Sequence, residues 1–424
     1  MIRGLSYLVG LLYCFVWLRP PEIGGIALPV QRVLGWLGLA FLLSHLLLKG
    51  SLTAGPVVRR FLRLAFAFTL LLILSLVVQL AYGERFVLLY FGMDLSKYAA
   101  VFTVAYLCYY ALSTRLVNED RFLAGIMISG VLATVLVFQL LALWAAGFQS
   151  NLEVLAPSFS GSVGVLPTGG FPRLAGPTAE PQQLSVALLT PLLLMLSRER
   201  IRRWWPFALL TGAALMLSQS KFSLVSLLLV GVYVFVVYER RRRLILFLAA
   251  LATPIAGYFL IRLPTFANTL AEGLSAEAFV ERFQNIVLLI EIIREHLFLG
   301  IGPGQYGVFR GITLYGNPNH SPGYTPNMDF LKVFAELGVL GFLTMLLLLG
   351  SLVVLFFRSY RLLPREVRPR YLALLLGGLA ILLNMTIGYE LLHSFFWINI
   401  GALLYLTERV RATSAPARPD PIAP

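Results

Sequence analysis

The chain has 424 residues, 58% of them hydrophobic and 13% charged, with a formal net charge of +14 and a mean hydropathy of +0.82. Soluble domains carry roughly 25% charged residues, and no water-soluble core absorbs this much apolar surface, so lipid is the solvent for most of the chain. The excess of positive charge does not point to nucleic acid, because the arginines sit in short clusters between apolar runs, where they act as topology signals at lipid headgroups.

Apolar runs predict an all-α, polytopic membrane protein of about 12 transmembrane helices. In chain order they lie at 4–18, 30–48, 61–82, 97–113, 122–146, 183–197, 205–218, 222–239, 244–262, 328–357, 371–388 and 391–408. The first run follows Arg3 and is followed by LRPPEIGG (18–25) instead of a small-residue cleavage site, so it reads as a retained helix. Cys14 and Cys108 both lie inside apolar runs and have neither disulfide nor metal-ligand spacing.

Basic clusters then set the orientation. One set of connections holds Lys49, Arg59 and Arg60; Arg115 and Arg121; Arg198 to Arg203; Arg240 to Arg243; Arg358 to Arg370; and Arg409 with Arg411. These alternate with the remaining connections if both termini are cytoplasmic, in a bacterial inner membrane. The stretch 205–239 has arginines at both ends and is too long for one span, so it should cross twice with a tight turn at LSQSK (217–221), placing Lys221 at the outer face.

The resulting division is 1–146 with five helices, an outer loop 147–182, four helices in 183–262, a large outer loop 263–327, three helices in 328–412, and a Pro-rich disordered cytoplasmic tail 413–424. Both outer loops are longer than a connection requires, which marks them as functional candidates. Within the second, AEAFVERFQNIVLLIEIIREHLFLGIG (276–302) has apolar residues at helical spacing and predicts an amphipathic interfacial helix. GIGPGQYG (300–307) reads as a turn, since it lacks the Lys-Ser/Thr of a phosphate-binding loop.

Positive charge is normally depleted from the outer face. The outer-face cations expected here are Arg173, Lys221, Arg262, Arg282, Arg294 and Arg310. An anionic ligand delivered at the outer leaflet would account for them, and the planar guanidinium fork suits phosphate. Arg173 precedes a helix within PRLAGPTAEPQQL (172–184), where it either meets such a ligand or pairs with Glu180. Lys221 either meets the ligand or snorkels to headgroups. Arg294 and Arg310 read as ordinary polar-face residues. Among the histidines, His320 in NPNHSPGYTPN (317–327) lies in an outer loop beside a helix entrance, while His45, His296 and His393 lie in or near helices.

Four blocks together resemble the bacterial O-antigen ligase and polymerase family of membrane glycosyltransferases. PRLAGPTAEPQQL (172–184) resembles its outer-loop arginine block. LSQSKFSLVSLLLV (217–230) resembles a block with a basic residue after a serine, Lys221 standing where arginine is usual. ERFQNIVLLIEIIREHLFLGIGPGQYG (281–307) and NMDFLKVFAELGVLGFL (327–343) resemble the blocks closing the large loop and opening the next helix. The resemblance spans roughly residues 120–400. One departure is informative: the ligase branch has a His-Asn pair where this chain has Asn327 and Met328, with His320 seven residues before Asn327. That favours the polymerase branch.

The resemblance implies glycosyl transfer between lipid-linked saccharides at the periplasmic face. An acceptor hydroxyl attacks the anomeric carbon of an undecaprenyl-diphosphate-linked oligosaccharide with inversion, and lipid diphosphate leaves. Diphosphate is a good leaving group, so catalysis is mainly positioning and charge stabilisation. The candidate catalytic residues are Arg173, Arg282, Glu180 and His320, and the candidate substrate-binding residues are Lys221, Arg262, Asn327 and Asp329. Glu390 joins Glu180, His320 and Asp329 as a candidate base. No metal or other cofactor is expected, since no Asp-rich or His/Asp cluster suggests one. Expected partners are the lipid-linked oligosaccharide, membrane lipids and a chain-length regulator protein, with no nucleic acid. The alternatives are a ligase acting on a lipid A-core acceptor, a peptidoglycan polymerase of the shape, elongation, division and sporulation type, echoed by TPNMDFLKVFAELG (325–338), or, from another class, a transporter or lipid flippase. Charges lying at helix ends instead of mid-bilayer weigh against the last.

Overall fold

The computed structural model describes residues 6–7, 10–14, 30–49, 54–82, 87–147, 174, 176–178, 181–197, 200–218, 220–238, 276–320, 324–388 and 391–414. Among them all regular structure is helical: α1 Val30–Lys49, α2 Pro56–Tyr82, α3 Leu88–Ser113, α4 Glu119–Ala145, α5 Pro181–Met195, α6 Ile201–Leu217, α7 Lys221–Val237, α8 Ala276–Glu295, α9 Tyr306–Tyr315, α10 Asp329–Leu362, α11 Arg368–Asn384 and α12 Ser394–Ser414. Four of these, α2, α3, α4 and α10, are long and apolar enough to cross a membrane. Shorter apolar stretches lie in α1, α5 and α7. The chain is an integral, helical membrane protein.

Each expected span has a helix at its place except 4–18, of which only 6–7 and 10–14 are described, and 244–262, which lies outside the described residues. The turn expected at 217–221 is present. α6 ends at Leu217, and α7 begins at Lys221 with Ser220 as its N-cap, the side chain accepting from the Phe222 N–H at 3.2 Å. One boundary needs correction. The helix expected over 97–113 begins about two and a half turns earlier, at Leu88. The added stretch contains Asp94, a carboxylate in an otherwise apolar segment. In the fold it is buried and neutralised by lysines.

α5 is the centre of the bundle. Every residue from Gln183 to Met195 is buried, and the helix packs on α4, α6, α7 and α11. Small residues allow close approach, as is usual between membrane helices. A Cβ on Gly377 of α11 would overlap the Thr190 hydroxyl, and one on Gly130 of α4 would collide with Pro191. Polar side chains bridge the same region: the Tyr13 hydroxyl donates to Thr190 Oγ1 at 2.9 Å, and Asn399 Nδ2 donates to Tyr13 at 2.8 Å and Thr190 at 3.1 Å.

The long helix α10 breaks at Gly338, whose φ of 63° and ψ of −169° are open to glycine alone. A break normally strands the carbonyls that would have met the next turn. Here the segment after α8 supplies partners: Ile301 N–H donates to Ala335 O at 3.1 Å and Gly302 N–H to Glu336 O at 2.9 Å. In return, Val339 N–H donates to Leu297 O at 2.7 Å. The fit leaves no room for side chains, since a Cβ on Gly338 would strike the Phe298 carbonyl and one on Gly300 the Glu336 carbonyl. GIGPG is therefore the turn the sequence suggested, and it is also the partner of a broken helix.

Candidate active site

The turn is held from a second side. Gln79 Nε2 donates to Gly300 O at 2.7 Å, and Ser75 Oγ to Leu299 O at 3.3 Å, both from α2. The Gln305 amide brackets Val87, accepting from its N–H at 2.9 Å and donating to its carbonyl at 3.0 Å. These contacts bring the start of α3 against the start of α10, where four charged side chains meet. Asp94 accepts from Lys97 and, through Oδ2, from Lys332 Nζ at 3.0 Å. Lys332 Nζ also lies 3.7 Å from Glu336 Oε2. The side chains of Asp94, Lys332 and Glu336 are 4%, 4% and 1% exposed. Burial this deep is tolerable because two lysines balance two carboxylates and hydrogen bonds meet the remaining oxygens.

Glu336 Oε1 carries the network outward. It accepts from the Tyr306 N–H at 3.3 Å, and the Tyr306 hydroxyl donates to Asn285 Oδ1 at 3.0 Å. Asn285 Oδ1 also accepts from Arg310 Nε at 3.2 Å, while its amide donates to the Tyr324 hydroxyl at 2.8 Å. The Arg310 guanidinium sits 4.1 Å from the Tyr324 ring centroid and 5.4 Å from that of Tyr315, a cation–π sandwich. His320 stacks on Tyr315 with centroids 3.8 Å apart, and it is exposed. A continuous chain of contacts thus runs from buried Asp94 to exposed His320 across α3, α10, α8 and α9.

α8 is apolar on two faces. Leu288, Leu289 and Ile292 pack inward against Ile301, Tyr306 and Ala335. Val280, Phe283, Val287 and Ile290 point outward, and the exposed Leu297 and Phe298 extend the stripe toward the exposed Leu340 and Leu343 of α10. Glu291, Arg294 and Glu295 are exposed, as an interfacial helix requires.

The candidate residues divide by place. Arg173, Glu180, Arg262 and Glu390 lie outside the described residues. Lys221 is the first residue of α7 and Arg282 lies in the second turn of α8, but their side chains also lie outside the description. Beneath Lys221, the hydroxyls of Ser185, Ser218 and Ser223 bond one another at 2.7 to 3.2 Å. Asn327 is half-buried just before α10. Asp329 is buried, its Oδ2 accepting from the Leu391 N–H at 2.7 Å and its own N–H donating to Gly388 O at 3.0 Å. It ties the start of α10 to the α11–α12 connection, whereas His320 belongs to the Arg310 cluster. Arg310, read from the sequence as an ordinary polar-face residue, is instead buried among aromatics, whose rings and Asn285 take the place of water.

Sequence reasoning missed Asp94, Lys97, Lys332 and Glu336. The available signal was that ionisable residues inside apolar helices mark partners and function. Both lysines fall within expected spans, 97–113 and 328–357, and so are not among the outer-face cations.

Residues 206–346, from α6 to beyond the kink of α10, match the family model described as O-antigen ligase. The match covers a third of the chain. It includes the Lys221 turn, α8, the GIGPG turn, the Arg310 cluster, Lys332 and Glu336; the block around Arg173 and the residues Asp94 and Lys97 lie before it. The match supports the resemblance read from the blocks at 217–230, 281–307 and 327–343. No curated protein matches the chain.

Proposed function

We propose that this protein is a glycosyltransferase that polymerises undecaprenyl-diphosphate-linked oligosaccharide units at the outer face of the inner membrane. The observation that carries this reading is the O-antigen ligase match over 206–346, coinciding with the buried network that fixes α8, α9 and the GIGPG turn to the helix ends. A site that transfers a glycan between two lipid-linked substrates needs a rigid floor at the membrane surface, and this network supplies it. Arg173 and Arg282 then hold the diphosphate while its charge grows, with Lys221 and Arg262 as further phosphate contacts. Asn327 and Asp329 border the acceptor side. Glu180 or His320 takes the proton from the attacking hydroxyl, and the glycan moves to the acceptor with inversion.

Ligation is the second reading, favoured by the description of the matching family. Against it stand Asn327 and Met328 where the ligase branch has histidine and asparagine. Incubating purified protein with synthetic lipid-diphosphate oligosaccharide separates the two: a ladder of products identifies a polymerase, and a single transfer to a lipid A-core acceptor identifies a ligase. No transfer to either acceptor would sink both. Basic side chains carry the leaving-group charge in this scheme, so chelator should leave turnover intact. Loss of turnover restored by Mg²⁺ would overturn that part.

A further inference from the structure

At the same end of the bundle as the Lys221 turn, α5 and α11 bury two amide side chains that the scheme above does not use. Gln183 and Asn384 are each 0% exposed, and neither the oxygen nor the nitrogen of either amide has a hydrogen-bond partner. Their neighbourhood is otherwise well paired, for Ser185, two residues beyond Gln183, bonds both Ser218 and Ser223.

The register between the helices brings the two amides to one level. α5 and α11 run antiparallel: Arg200, just past the end of α5, and Arg370, at the start of α11, both reach Asp120. The Thr190–Gly377 contact pins them to each other. Seven residues are close to two helical turns, so stepping back from Thr190 to Gln183 and forward from Gly377 to Asn384 stays on the facing sides and covers equal heights. Both lie at the end of the bundle where Asp329 grips the α11–α12 connection.

Unmet buried amides destabilise a fold. Each offers one acceptor and two donors, a complement to the hydroxyls of a sugar and a poor one to a diphosphate, which has no donors. We propose that Gln183 and Asn384 form a saccharide-hydroxyl subsite for the glycan of the lipid-linked substrate. This rests on the glycosyl-transfer reading above. The subsite is closed in this structure, and sugar entry requires the outer ends of α5 and α11 to part.

The test uses the full-length protein in detergent with Gln183→Leu, Asn384→Leu and the double variant. Two probes are compared: bare undecaprenyl diphosphate, and the same lipid bearing the repeat unit isolated from the source cells. Thermal melting and Kd are read for each. The variants should melt at or above the wild-type temperature, because unmet amides have been removed. They should bind the bare lipid as wild type does and the glycan-bearing lipid roughly three- to tenfold more weakly per amide. Unchanged affinity for the glycan-bearing lipid, or equal loss for both lipids, overturns the subsite while leaving the glycosyl-transfer reading standing. Failure of the wild type to bind either lipid overturns the reading and the subsite with it. If the leucine variants do not insert, Gln183→Met and Asn384→Ala are read in the same way.

Discussion

At the arginine-rich end of the bundle, Glu119 accepts from Arg409 at 2.6 Å and Arg370 at 3.5 Å, and Asp120 from Arg370 at 2.8 Å and Arg200 at 3.2 Å. Arg409 is 55% exposed and Asp120 65%. At the other end, Asp94, Lys332 and Glu336 form a network of similar size that solvent scarcely touches. The exposed network joins the starts of α4 and α11 to the last turns of α12, where water competes for each charge and pairing contributes little. The buried one cannot lose a member without stranding a charge. Rigidity is therefore concentrated where α8, α9 and the GIGPG turn meet the starts of α3 and α10.

The largest expected effect tests that contrast directly. Lys332→Met leaves Asp94 short of one partner and Glu336 without its ion pair, and should cost about 3–5 kcal/mol. Expression yield and thermal unfolding in detergent would report it. Replacing Asp94, Lys97, Lys332 and Glu336 together by apolar residues should restore much of that stability and, since the network serves as a floor, much of the activity with it; activity that stays low would give the network a part in the chemistry.

Next come the residues proposed to meet the diphosphate. Arg173→Ala and Arg282→Ala should each lower the rate by about 10²–10³, or 2.7–4 kcal/mol, by analogy with removing a donor to a developing oxyanion. Arg→Lys should rescue only partly, since it keeps the charge and loses the fork. Wild-type polymerisation by both alanine variants, with normal insertion, would move the active site away from these two loops.

A smaller loss is expected for Gly338→Ala. Its positive φ and the Phe298 carbonyl oppose a methyl group, at about 1–3 kcal/mol. Limited proteolysis within 296–305 would show whether the turn has come loose from α10. At the arginine-rich end, Arg409→Ala should cost about 0.2–1 kcal/mol. A loss as large as that of Lys332→Met would erase the distinction between the two ends.

Much of the architecture was legible because it is periodic and local. Apolar runs marked the helices, arginines at both ends of 205–239 forced the turn at Lys221, and helical spacing over 276–302 gave α8. The start of α3 was misread because the partner that makes Asp94 tolerable, Lys332, is 238 positions away. The Gln183–Asn384 level is equally invisible in sequence, for it depends on the meeting of Thr190 with Gly377. Three of the four blocks fall within the stretch that matches the O-antigen ligase family model, but most of the candidate cations have side chains outside the described residues. What the structure adds is the floor on which those cations would stand.

The exchange of backbone bonds between 297–302 and 335–339 has a consequence for how such proteins can diverge. Each segment completes the other's main chain, so neither can be replaced from a relative without its counterpart: a transplanted turn would face a helix with the wrong break, and a transplanted helix would expose bare carbonyls. Recombination between this chain and its relatives should therefore respect 276–343 as one cassette. Chimeras joined between the two segments should not fold, and chimeras joined outside those limits should fold where the partners Ser75, Gln79 and Asp94 are kept.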